Sequence, residues 1–227
     1  MAADTRDRLL DAVEDLMRTR GLARISTRAI ARRAKLADGT LYIYFKDKVE
    51  IYLAVVQRNI SEFGDLLRSL PLRVGQNTVR KNLSEVAECA FRSHQKVAPF
   101  ICSMLADREL LGRYKQALRS HRVGPEESAE ALSVYIAAEQ RLGRVAANIA
   151  PDAVAHLLLG AAFANAVTGH FIDRPVKAAR FKGRIDEILD TLMTGLEPRG
   201  ALITVPTREA GAVEPLAPKQ TANASER

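Results

Sequence analysis

The chain has 227 residues, 47% of them hydrophobic and 27% charged, with a formal net charge of +7. This is the balance of an ordinary globular protein, long enough to bury a core without staples, and it excludes a fibrous or low-complexity chain. Cys89 and Cys102 are too few for a disulfide scaffold and match no zinc or redox spacing, so the expectation is a reduced, cytoplasmic protein with two small buried thiols.

The first residues carry both signs of charge and lead into no apolar signal core. Residues 4–20 place Leu9, Leu10, Val13, Leu16 and Met17 at helical spacing, and Gly21 supplies a stop. Ser26 or Thr27 can cap a short helix ending near residue 34, with Ala29, Ile30 and Ala34 on its buried side. Lys35, Leu36 and Ala37 form a turn, and a second short helix spans about 38–44. A longer helix opens between Lys46 and Lys48 and runs through Tyr52, Val55, Ile60 and Leu67 until the stretch from Pro71 to Gly75 breaks it.

Further helices are expected at 77–96, 99–111, 113–121, 125–142, 151–172 and 175–196. Pro99, Pro125, Pro151 and Pro175 each open one of these segments. Residues 153–172 are uncharged but contain His156, Asn165, Thr168 and His170, which suits a helix buried in a protein or a dimer better than a membrane span. From residue 198 four prolines and no apolar periodicity predict a disordered tail. Strand signals and internal repeats are absent. The expected fold is all-α: an N-terminal three-helix helix-turn-helix domain at 1–50, a larger helical domain at 51–197 for effector binding and dimerisation, and the tail at 198–227.

The charge has an address. Nine basic residues lie between Arg18 and Lys48 against only Asp38 and Asp47, while the rest of the chain carries 25 charges of each sign. A local basic patch on a helix-turn-helix points to double-stranded DNA. In that layout the second short helix enters the major groove. Gly39 lets the backbone approach DNA; the Thr40, Tyr42 and Tyr44 hydroxyls reach phosphate; and Lys48 sits at a helix start that already favours an anion. Leu41 and Phe45 point into the core. Tyr42, Tyr44 and Phe45 cannot all be buried by so short a helix, so at least one tyrosine faces DNA.

The run Thr27-Arg-Ala-Ile-Ala31, followed by Ala34-Lys-Leu-Ala-Asp-Gly39-Thr40-Leu41-Tyr42-Ile-Tyr44-Phe45-Lys-Asp-Lys48, resembles the DNA-binding domain of the TetR family of regulators. The resemblance implies a homodimer, an operator DNA partner and a C-terminal domain whose small-molecule effector releases a repressor from DNA. Position by position, it implies backbone contact for Thr27, Thr40, Tyr42, Tyr44 and Lys48, and proximity to bases for Arg28, Asp38 and Gly39. Two positions depart from the family pattern. Lys35 stands where glycine is usual, so it either takes a left-handed conformation or reshapes the turn. Ala37 stands where a serine cap is usual, leaving Asp38 as the cap or as a cytosine reader, the cap being favoured.

In the second half, the small residues Ala153, Ala155, Gly160, Ala161, Ala162, Ala164 and Ala166 permit close helix approach, and a last apolar helix follows with Phe181, Ile185, Ile188, Leu189, Leu192 and Met193. Both suit a symmetric dimer interface, with ordinary core as the competing reading. Phe91, His94, Phe100, Met104, Tyr135, Glu139 and Phe163 are candidates to line the cavity of a mostly apolar effector. The four histidines form no paired metal-ligand motif, and no cofactor is expected. The sequence holds no phosphate loop, dinucleotide fingerprint, nucleophile elbow or His-Glu-x-x-His, so it is not read as an enzyme. A helical-bundle enzyme and a non-specific basic adaptor are the competing readings; neither would select a DNA site.

Overall fold

The computed structural model describes residues 2–20, 24–121, 124–171 and 177–194, and among these there is helix and no strand. The Gly21 stop, the Pro175 start and the expected tail lie outside the described residues. In chain order the helices are α1 (Ala2–Arg20), α2 (Thr27–Arg33), α3 (Leu41–Tyr44, entered through a 3-10 turn at Asp38–Thr40), α4 (Lys48–Arg73), α5 (Val79–Leu105), α6 (Arg108–His121), α7 (Pro125–Arg141), α8 (Pro151–Phe171) and α9 (Ala178–Thr194).

The break expected at residues 71–75 is where α4 ends: the helix runs to Arg73, two residues past Pro71, and closes at Gly75 in the left-handed region. One proline behaves differently from expectation: Pro99 lies inside α5 instead of starting a new helix. Proline cannot donate to the carbonyl four residues back, and the carbonyl so released is that of Gln95. His170 of α8 fills the vacancy, its Nε2 lying 3.0 Å from the Gln95 oxygen. The contact gives the released carbonyl a partner on a neighbouring helix.

Apolar side chains gather in two clusters. The first joins Leu9, Leu10, Val13 and Leu16 of α1 to Ile30, Leu41, Phe45, Ile51, Tyr52 and Val55, and is completed from α5 and α6 by Val97, Phe100, Met104 and Leu110. The second joins Phe63, Leu67 and Leu70 of α4 to the first half of α5 and to α7, α8 and α9, with Phe91 stacked on Phe181 at 3.9 Å. Helices α4 and α5 therefore belong to both cores. The boundary expected at 50/51 falls in the first turn of α4.

One burial expectation needs correction: Cys89 is buried, but Cys102 is exposed. Helix α8 is only partly covered by its own chain. Ala155, Leu158, Ala162 and Ala166 pack inward, while Leu157, Phe163 and Phe171 are exposed along with Ala153, Gly160, Ala164 and Thr168. By length and composition α8 is the one helix among the described residues that is long and apolar enough to cross a membrane. Its inner face is packed on α5, α7 and α9.

Candidate nucleic-acid interface

The recognition turn is built from backbone rules. Ser26, in an extended conformation, caps α2 by accepting from the Ala29 N–H at 3.2 Å. At the other end, Leu36 N–H donates to Ala31 O at 2.9 Å and Lys35 N–H to Arg32 O at 3.1 Å. This paired 6→1 and 5→2 closure demands a left-handed residue between them. Lys35 takes that conformation, with φ of 57°. Arg8 of α1 braces the turn: its Nη2 donates to Ala34 O at 2.7 Å and to Lys35 O at 3.2 Å.

Asp38 does not cap the recognition helix. Ala37 holds the cap position without a side-chain bond, and Asp38 is the first residue of the 3-10 turn, its carboxylate 3.5 Å from Arg28 Nε. Leu41 and Phe45 are buried as expected, with the Arg6 guanidinium 5.3 Å from the centre of the Phe45 ring. Tyr42 is 58% exposed, and Tyr44 is half-buried against the first core. Thr27 and Thr40 are half-buried, and Arg28 and Lys48 are exposed. Gly39 is exposed, with nothing within 4 Å of the place a Cβ would occupy. Ile43 escaped the sequence reading, yet it is 78% exposed on the same short helix. Its signal was present: Leu41 and Phe45 fix the inner face, so the residue midway between them must point out.

The entry to α4 is doubly tied. Asp47 caps it, accepting from Val49 N–H at 2.9 Å and Glu50 N–H at 3.0 Å, while the Glu50 side chain accepts from Lys46 N–H. Arg113 of α6 then donates to Asp47 Oδ2 at 2.7 Å. Partial burial works to raise the Asp47 carboxyl, but the Arg113 hydrogen bond and the two backbone N–H groups outweigh it and hold the group below its ordinary value. Lys48 follows directly, so a well-anchored helix start stands beside an exposed cation.

The structure also sorts the basic patch. Arg18 and Arg33 both pair with Asp15, and Arg28 pairs with Asp38. Arg24, Arg32, Lys35, Lys46 and Lys48 are exposed with no acidic partner among the described residues. Five unneutralised cations around two short helices are what a polyanion requires.

The candidate effector residues are not gathered in one place. Phe100 and Met104 belong to the first core, whereas Phe91 and Tyr135 belong to the second. His94 lies edge-on between Phe63 and Phe163 at 5.9 and 5.4 Å, its Nδ1 buried without a partner. Glu139, fully buried, accepts from Gly75 N–H at 3.2 Å and pairs with Arg144 at 3.1 Å, and Arg144 in turn donates to Asn77 O. Asn82 donates to Tyr135 Oη at 2.8 Å. Tyr135 and Glu139 thus serve a buried polar network that fastens the α4–α5 turn to the end of α7. Among the described residues no group of His, Cys, Asp and Glu could hold a metal ion.

Residues 9–55 match the family model described as "Bacterial regulatory proteins, tetR family". No curated protein matches the chain. Among solved structures, the fatty acid degradation regulator FadR from Bacillus halodurans is similar, with a TM-score of 0.65 and 19% identity over 86% of this chain and 97% of that one. FadR from Bacillus subtilis, solved in complex with stearoyl-CoA, gives 0.61 and 17% over 84% and 98%. A TetR-like transcriptional regulator from Rhodococcus sp. RHA1 gives 0.57 and 20% over 84% and 96%. At these identities the likeness establishes the fold.

Proposed function

We propose that this chain, a transcriptional regulator built on the tetR-family DNA-binding domain, works as a homodimeric repressor that a small, mostly apolar effector releases from its operator. The observation that carries the reading is the set of unneutralised cations around the recognition turn, Arg24, Arg32, Lys35, Lys46 and Lys48, next to the exposed rings and backbone of Tyr42 and Gly39. Lys48, Thr27, Thr40, Tyr42 and Tyr44 hold phosphates; Arg28, Asp38 and Gly39 stand near base edges. The Arg28–Asp38 pair is long and open to solvent, so both groups can exchange that contact for a base.

Dimerisation is supported by the outer face of α8, where Leu157, Phe163 and Phe171 stand exposed among Ala153, Gly160, Ala164 and Thr168, with the Asp152–His156 pair at its N-terminal end. A second copy laid against it gives two recognition helices for two half-sites. The second core is the proposed seat of the effector, with Phe91 and Tyr135 inside it and His94 beside Phe63 at its edge. The stearoyl-CoA held by the Bacillus subtilis neighbour supports a ligand with a long apolar part. A DNA target places the protein in the cytoplasm.

Selection of binding sites from a random duplex library, repeated across salt concentrations, tests this. The expected outcome is a two-fold symmetric site with a steep salt slope. An unenriched library, or a salt-independent affinity, overturns it.

A further inference from the structure

We infer that α6 carries a second phosphate-binding face, which extends the grip on duplex DNA beyond the recognition turn; this rests on the DNA-binding reading above. Arg108, Gly112, Lys115 and Arg119 recur at the spacing of one helical stripe, and all four are exposed. The opposite side of the helix is occupied: Leu110 is buried in the first core, Tyr114 packs against it, and Arg113 is bonded to Asp47. The stripe therefore faces away from the body of the protein.

The three cations on the stripe have no acidic partner among the described residues. Several arginines on the longer helices do: Arg58 meets Asp11 and Glu14, Arg80 meets Asp186 and Asp190, and Arg92 meets Glu62, whereas Arg141 and Arg180 stand singly and form no such stripe. Lys115 and Arg119 are four residues apart and repel each other, so the stripe is unfavourable for the isolated helix. Gly112 adds to this, since a glycine within a helix weakens it. Nothing lies within 4 Å of where its Cβ would be, so no internal packing requires it. An approaching sugar-phosphate backbone accounts for both features: it neutralises the cations and uses the space that a side chain at 112 would fill.

Position favours DNA over other polyanions. The Arg113–Asp47 bond sets α6 alongside the start of α4, next to the exposed Lys48 assigned to phosphate above. A helix with its side chains is about 10–12 Å across. Duplex DNA carries a charge about every 1.7 Å of its axis, so the outer stripe lies within reach of phosphates a few base pairs beyond those held by α4.

The test compares affinity for the selected site alone with affinity for the same site carrying ten flanking base pairs on each side. The readout is the ratio between the two, across a salt series. The wild type is expected to gain about tenfold from the flanks. Arg108→Gln/Lys115→Gln/Arg119→Gln is expected to lose that gain and to lower the salt slope by about 2–3, close to one per lost phosphate contact. The charge-preserving Arg108→Lys/Arg119→Lys keeps the gain, and far-UV circular dichroism checks that each variant is folded. Equal ratios and slopes for the wild type and the triple variant overturn the inference while leaving the DNA reading intact. So does a triple variant that differs only in sedimenting with vesicles of anionic phospholipid, because the stripe then serves a lipid surface. A wild type that selects no duplex overturns both readings.

Discussion

His170 and Pro99 lie 71 positions apart in the chain but act on one carbonyl: the proline leaves Gln95 O without its helical donor, and the histidine Nε2 reaches it at 3.0 Å. A carbonyl can only accept, so the ring must carry its proton on that nitrogen. Pro99→Ala restores the internal bond and is expected to stabilise the protein by about 1–2 kcal/mol. His170→Ala should cost about 0.5–1 kcal/mol in the wild type and close to nothing beside Pro99→Ala. Urea melts of the four proteins in this cycle measure the coupling, and additive effects would show that the two residues are independent.

The Asp47 carboxylate serves two masters, the first turn of α4 and Arg113. Asp47→Ala is therefore expected to destabilise the fold by about 1–2 kcal/mol, since the cap and the ion pair go together. Arg113→Ala should cost less than about 1 kcal/mol, because the pair is more than a third exposed and the cap survives. Chemical denaturation ranks the two; a larger loss for Arg113→Ala would mean that α6, and not the cap, secures the helix start.

Lys35→Gly is a predicted stabilising change. The left-handed φ of 57° costs a lysine about 1 kcal/mol that glycine does not pay, and the side chain is exposed. A higher melting temperature is expected together with weaker DNA binding, because one of the five free cations is lost. An unchanged melting temperature would mean that Arg8, through its bonds to the Ala34 and Lys35 carbonyls, has already absorbed the strain.

Lys48 and Ile43 should separate affinity from selectivity. Lys48→Ala is expected to weaken binding by a similar factor on all duplexes and to lower the salt slope by about 1, as a phosphate contact does. Ile43→Ala removes an exposed apolar group that no internal packing needs. It should leave melting unchanged and discriminate less at one base pair, by about 1 kcal/mol, if the side chain meets a thymine methyl. Fluorescence anisotropy on the selected site and single-base variants tests both. A sequence-dependent loss for Lys48→Ala reverses its assigned role.

Burial between Phe63 and Phe163 pushes the His94 imidazole down to about 4. The unfolded chain protonates near 6.5 and so binds the proton first as the pH falls. Stability is complete above about 6.5 and is lost as the pH drops toward 4, by about 2 kcal/mol between pH 7 and pH 5. His94→Phe removes this loss and keeps an aromatic ring in the slot. Urea melts of both proteins at the two pH values test it, and parallel pH profiles would show that other groups carry the effect.

The helix-turn-helix was legible because its determinants are local: Ser26 before α2, the inward Leu41 and Phe45, and the need for a left-handed residue at 35 are all written within a few positions. Asp38 was misread as a cap because its Arg28 contact, ten residues away, cannot be seen in a local pattern. The same applies to Pro99. Proline propensity predicts a break there, and the α8 side chain that meets the released Gln95 carbonyl lies far away in the chain. Glu139 is expected, with the aromatics named beside it, at the wall of an effector cavity. Its partners, Gly75 and Arg144, come from turns whose approach the sequence does not encode locally.

Because neither Pro71 nor Pro99 interrupts its helix, α4 and α5 are unbroken rods of 26 and 27 residues, each about 40 Å long, that pass through both cores. The protein has no joint between its two halves along these rods; it has levers. A tilt of about 5° at one end of a 40 Å rod moves the other by about 3 Å, comparable to the rise of one base pair. A change in packing around Phe91, on the α5 rod, would therefore be felt as displacement near Val97, Phe100 and Met104, where the same helix enters the first core.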